Sequence, residues 1–208
     1  MISVLSTPTR LVTNQVDPLH ELEEHLIRNQ CAIERWFRCQ WQTTPPPFYG
    51  SVDLRNAGFK LAPIDTNLFP AGFNNLNPEH EALHITAIQH YLDQYHPSLQ
   101  RLLLIPENHT RNLYYLENVA RLAELLREAG LELRIASWML EEAHTHELPS
   151  GERLLIEPLR RVGARLQVDD FDPQMILLNN NLSGGVPEIL QGLEQTLLPP
   201  LAAGWQTR

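Results

Sequence analysis

Apolar residues recur at helical spacing from Leu19 through Leu22, Leu26, Ile33, Phe37 and Trp41, behind an Asp17–Pro18 pair suited to an N-cap and first turn. The pattern predicts a long first helix ending before Pro45. From Ser51 the texture changes to short apolar–polar alternation broken by Gly, Pro and Asn, which marks short strands and turns. Asn77 and Pro78 open a second helix that runs to about Tyr95, and Pro97 stops it. An unbroken apolar strand follows at Arg101–Ile105, then a helix over about Arg111–Ala129 closed by Gly130, then a strand over Leu131–Trp138. That succession is a βαβ unit, hence a parallel sheet covered by helices. Shorter strands are expected near Arg153–Ile156, Ala164–Val168 and Met175–Leu178, with a last helix over about Pro187–Leu193. The expected fold is α/β: a mostly parallel sheet flanked by helices in a Rossmann-like three-layer arrangement, one domain over 1–208 with a long N-terminal helix.

Composition narrows the class. The chain has 208 residues, 43% hydrophobic and 20% charged, which is enough to bury a core and too apolar for disorder. Its net charge of −9 argues against nucleic acid or an anionic membrane as the main partner. No stretch approaches eighteen apolar residues and the N-terminus has no sustained apolar run, so a cytoplasmic location is expected. Cys31 and Cys39 lie eight apart on the first helix, roughly 12 Å by the helical rise and beyond disulfide reach, so they read as free thiols of a reducing compartment. Trp36, Phe37 and Trp41 on that helix suit either packing onto its own sheet or a homo-oligomer contact. The closing LLPPLAAGWQTR has no polar tail and reads as a cut inside a longer protein.

Several segments carry candidate chemistry. His80-Glu81-Ala82-Leu83-His84 fits the HExxH pattern of zinc hydrolases, with two histidines as ligands and Glu81 as base. The longer pattern needs Gly where Ala87 stands, and on a continuing helix His90 points about 80° away from His80, so a solvated polar face is the competing reading. His144-x-His146, beside Glu141 and Glu142, reads as an exposed loop. No Walker A or dinucleotide glycine motif occurs, but Ser183-Gly184-Gly185, between a strand and a helix opened by Pro187, could cradle an anion or be a plain turn. The densest polar segment is Asp53–Leu76, with Arg55, Lys60, Asp65, Asn67, Asn74 and Asn75 set among Gly and Pro. Arg or Lys for a carboxylate, Asp for an ammonium and Asn for orientation together suit a small zwitterion. Lys60 is the only lysine beside fifteen arginines. A capped surface loop accounts for the same residues.

VDLRNAGFKLAPIDTNLFPAGFNNL resembles a block of the proteobacterial glutamate-cysteine ligases that carry an ATP-grasp-like catalytic half. Leu102–Leu122, Ile176–Pro187 and Leu197–Trp205 resemble further blocks in the same order. The resemblance implies ATP-dependent joining of L-glutamate and L-cysteine through a γ-glutamyl phosphate, with Mg²⁺ at the phosphates. It also implies that this chain is the N-terminal, substrate-side part, comparable to the domain preceding the ATP-grasp fold in related ligases, with ATP and Mg²⁺ held mainly by a part beyond Arg208. It places Arg55, Lys60, Asp65, Asn67, Asn74 and Asn75 near substrate, with Asn180, Ser183 and Gly184 at the sheet's carboxyl edge. Glu107, Asn108 and Arg111 follow the strand ending at Ile105 and face the same crevice by the rule for open α/β sheets. A non-catalytic amino-acid-binding module and the zinc hydrolase stand as alternatives.

Overall fold

The computed structural model describes residues 18–57, 60–107, 112–182 and 184–203. The chain falls into two compact units, Met1–Pro46 with Val52–Thr66, and Pro47–Ser51 with Asn67–Arg208.

In the first unit, α1 (Pro18–Arg28) and α2 (Gln30–Trp41) replace the expected single long helix. The interruption is at Asn29, whose backbone leaves helical angles (φ −105°, ψ 9°) while its side-chain amide donates to the His25 carbonyl at 2.8 Å. An Asn side chain competing for backbone acceptors is the physical cause. Asp17, the expected cap, lies outside the described residues. Cys31 and Cys39 are free and exposed on α2. Trp36, Phe37 and Trp41 are also exposed there, with Phe37 stacked on Trp41 at 5.6 Å. The unit also holds most of a paired β1 (Ser51–Asn56) and β2 (Leu61–Asn67). So short a connection permits only an antiparallel hairpin.

The second unit is built on a six-stranded sheet. Its helices are α3 (Glu81–Tyr95) and α4 (Leu113–Glu128); its strands are β3 (Arg101–Pro106), β4 (Glu132–Ser137), β5 (His144–Glu147), β6 (Arg153–Pro158), β9 (Met175–Asn179) and β10 (Thr196–Leu198). A separate antiparallel hairpin joins β7 (Arg160–Val162) to β8 (Arg165–Gln167). The sheet order is β10-β9-β3-β4-β6-β5, parallel throughout except for β5, which runs antiparallel to β6. The α/β class and the mostly parallel sheet expected from the β3–α4–β4 pattern are therefore present. Asn77 caps the turn before α3 by accepting from the Glu79 amide at 3.0 Å. Gly130, at φ 104°, ends α4 in the left-handed conformation that glycine adopts without strain.

Alternation along the strands sorts the core onto two faces. Leu102, Leu104, Leu133, Ile135, Ile156 and Leu177 pack against Leu116, Val119, Leu122 and Leu126 of α4. Leu103, Ile105, Ala136, Ile176 and Leu178 face the other way, onto Leu166 and Val168 around the β7–β8 hairpin, with Phe171, Leu182 and Leu190. Among the described residues the second covering layer is thus made of a hairpin and short turns.

Two local expectations change. The segment after Pro187 forms only a single 3₁₀ turn, Glu188–Leu190, because Gly192 takes φ 62° and leaves too few residues to nucleate an α-helix. His144–Glu147 is not a loop but the edge strand β5, paired from His144 opposite Ile156 to Glu147 opposite Arg153. No helix among the described residues is long and apolar enough to cross a membrane.

Candidate functional site

In the second unit the chain leaves β3 toward β4 on one side of the sheet, while β9 pairs with β3 on the other side. The carboxyl ends of β3 and β9 therefore flank a topological switch point, where open α/β sheets leave a crevice. Pro106 and Asn179 lie side by side in the register, so Glu107 and Asn180 are the first residues past the two ends.

A buried polar network holds this edge. The Tyr115 hydroxyl, carried by the first turn of α4, accepts from the Glu107 amide at 2.9 Å and lies 2.9 Å from both the carbonyl and Oδ1 of Asn179. Asn112 caps that turn by accepting from the Tyr114 and Tyr115 amides. Asn179 Nδ2 donates to the Pro70 carbonyl at 2.9 Å, and the Tyr49 hydroxyl donates to the Leu178 carbonyl at 2.9 Å. Asn180 Nδ2 donates to the Pro106 carbonyl at 3.1 Å while its Oδ1 accepts from the Leu182 amide at 3.0 Å. Burial pushes both tyrosine hydroxyls well above the ordinary phenol range, against a smaller opposing pull from Asn179 on Tyr49 and from the Glu107 amide on Tyr115. They remain protonated at neutral pH and serve as hydrogen-bonding groups, not bases.

The segment before α3 is tied to the same region. Asn118 of α4, almost fully buried, accepts from the Gly72 amide at 2.7 Å and the Phe73 amide at 2.8 Å. It fixes the 3₁₀ turn Phe73–Asn75, whose Asn74 and Asn75 are exposed. Asn67 Oδ1 is used locally, accepting from the Phe69 amide at 3.1 Å.

The expected site residues accordingly divide. Arg55, Lys60 and Asp65 lie exposed on the β1–β2 hairpin of the first unit. Asn67, Asn74, Asn75, Glu107, Asn180 and Gly184 belong to the second. Of these, Glu107 and Asn180 sit at the switch point, Asn74 and Asn75 are presented on a turn, and both side-chain groups of Asn180 are committed to the chain itself. Asn108, Arg111 and Ser183 lie outside the described residues. The anion cradle loses its premise, since no α-helix follows Gly184 and Gly185. Tyr49, Tyr115, Asn118 and Asn179 organise the edge without having been singled out by pattern. The one local signal was the run of three asparagines ending a buried strand, because unpaired amides are costly there.

The HExxH segment is differently employed. Glu81 pairs with Arg121 of α4 at 2.7 Å, which removes it as a free base. Helix α3 continues unbroken past His90 to Tyr95, so the third histidine does not swing back. Among the described residues no group of three or more His, Cys, Asp or Glu could hold a metal ion.

Residues 23–208 match the family GshA, glutamate-cysteine ligase. A crystal structure from Methylobacillus flagellatus KT, named as a gamma-glutamylcysteine synthetase, is 57% identical, with a TM-score of 0.85 over 95% of this chain and 47% of its own. This chain thus spans about half the length of that relative. Comparison with curated proteins finds no match.

Proposed function

This chain belongs to the glutamate-cysteine ligase family, and from that premise we propose that the protein joins the side-chain carboxyl of L-glutamate to the amine of L-cysteine with ATP as co-substrate. A glutamate carboxylate oxygen attacks the γ-phosphorus of ATP, ADP departs, and an acyl phosphate forms. The cysteine amine then attacks the acyl carbon, phosphate leaves, and the nitrogen gives up a proton to yield γ-glutamylcysteine. Such chemistry needs a carboxylate clamp, oriented reactants and exclusion of water from the acyl phosphate.

The first of these requirements is assigned to this chain. Arg55 and Lys60 would pair with substrate carboxylate and Asp65 with an ammonium, all on one exposed hairpin. Asn74, Asn75 and Glu107 would contribute oriented polar groups, with Asn108 and Arg111 assigned by their place in the chain after the end of β3 and Ser183 by the family resemblance. The described residues do not fit ATP and Mg²⁺: no α-helix N-terminus follows the glycine pair and no acidic metal cluster is present among them. Those ligands are therefore assigned to the part of a ligase that the relative's longer chain contains.

The observation that carries the reading is the 57% identity over 95% of the chain. Its test is Arg55→Ala in the full-length ligase, scored for γ-glutamylcysteine formation and for thermal midpoint. Activity should fall by about a hundredfold while the midpoint holds, because an exposed arginine contributes little to folding. Activity within a factor of about two of the parent would remove Arg55 as a clamp. Calorimetry of this 208-residue chain with L-glutamate and L-cysteine, if it showed tight binding and the full-length protein showed no turnover, would replace the ligase with an amino-acid-binding module.

A further inference from the structure

The edge strand β5 places two imidazoles on one side of the sheet. His144 and His146 are two apart on an extended strand, so their side chains leave the same face. Their cross-strand partners are Ile156 and Leu154, both buried. The pair thus stands at the rim of an apolar surface with its outer side open to solvent. The ring centres are 4.4 Å apart at an interplanar angle of 70°. No hydrogen bond or ion pair to either imidazole occurs among the described residues.

That spacing has a chemical meaning. A metal at about 2.0–2.1 Å from an imidazole nitrogen lies about 3.2 Å from the ring centre, so two rings at right angles about the ion sit about 4.5 Å apart, and two at the tetrahedral angle about 5.2 Å. The observed separation suits the right-angle arrangement of tetragonal or octahedral ions, for which imidazole is a good ligand. The net charge of −9 favours approach of a cation.

We propose that His144 and His146 form a chelating site for a divalent late first-row transition ion of Ni²⁺ or Cu²⁺ type, the two imidazoles binding in cis and water filling the remaining positions. The site is independent of the ligase reading, of the HExxH segment and of the sheet's carboxyl edge.

Ni²⁺ is the suitable probe because, unlike Cu²⁺, it does not oxidise the exposed thiols of Cys31 and Cys39. Calorimetric titration should give one Ni²⁺ site that His144→Gln/His146→Gln weakens by about tenfold or more, while His80→Gln/His84→Gln leaves it intact. In the unmodified chain, Ni²⁺ should protect the peptide containing both histidines from diethyl pyrocarbonate, read by mass spectrometry. Equal binding by parent and His144→Gln/His146→Gln, loss of the site in His80→Gln/His84→Gln, or absence of protection at the β5 peptide would each overturn the assignment.

Discussion

The Tyr115 hydroxyl stands 2.9 Å from Asn179 Oδ1, bridging residues 64 apart in the chain and joining the first turn of α4 to the end of β9. The same oxygen accepts from the Glu107 amide, so one phenol ties both strand ends at the switch point to the helix that covers them. Removing it in Tyr115→Phe leaves the Glu107 amide and the Asn179 acceptors without that partner. Unsatisfied groups of this kind cost about 1–3 kcal/mol. Chemical denaturation should show that loss with little change in m-value, since the ring and its packing remain.

Asn118 makes a second, separable prediction. Its Oδ1 accepts two backbone amides of the Gly72–Phe73 turn, while its buried Nδ2 has no hydrogen-bond partner. Asn118→Ala should destabilise the chain by about 2 kcal/mol. Hydrogen exchange at the Gly72 and Phe73 amides should accelerate more than exchange in β3, because the turn loses its anchor while the sheet does not.

Glu81 should behave as a structural residue. Arg121 bridges Glu81 and Glu124, and both carboxylates are substantially exposed. Glu81→Gln should therefore cost about 1 kcal/mol or less. In the full-length ligase it should leave turnover close to the parent's, whereas a zinc hydrolase would lose its base. Abolished turnover with unchanged stability would reinstate Glu81 as a catalytic group.

Acid sensitivity follows from two histidines. Burial lowers the pKa of His96, and burial together with His144 lowers that of His146, from an ordinary 6.5. Between the depressed native value and 6.5 the unfolded chain binds more protons than the folded one, so stability rises with pH. The contribution is complete above 6.5 and is lost as pH falls from there through the native values. Thermal midpoints should drop on acidification from about pH 7 to about pH 5, and His146→Gln should show a shallower drop. An identical slope in parent and variant would exclude His146 as a contributor.

The sequence by itself determined the elements whose cause is local. RLLLI could be satisfied only by burial on both faces, the α4 periodicity demanded a cover, and Gly130 ended that helix, so β3–α4–β4 and its parallel pairing were readable in advance. The Asn77–Pro78 start of the α3 region was readable for the same reason. Tertiary structure decided what depends on partners far away in the chain. His144–Glu147 has no strong strand pattern of its own and becomes a strand because β6 offers an edge. The residues after Pro187 lack the length to offset helix nucleation, so of the two readings of Ser183-Gly184-Gly185 the anion cradle has no helix behind it. Arg55 and Lys60 could be picked out by charge, since charge is a property of the residue. Tyr49, Tyr115, Asn118 and Asn179 could not, because their roles lie in hydrogen bonds spanning from 8 to 130 residues, and only the closed fold brings those groups within reach.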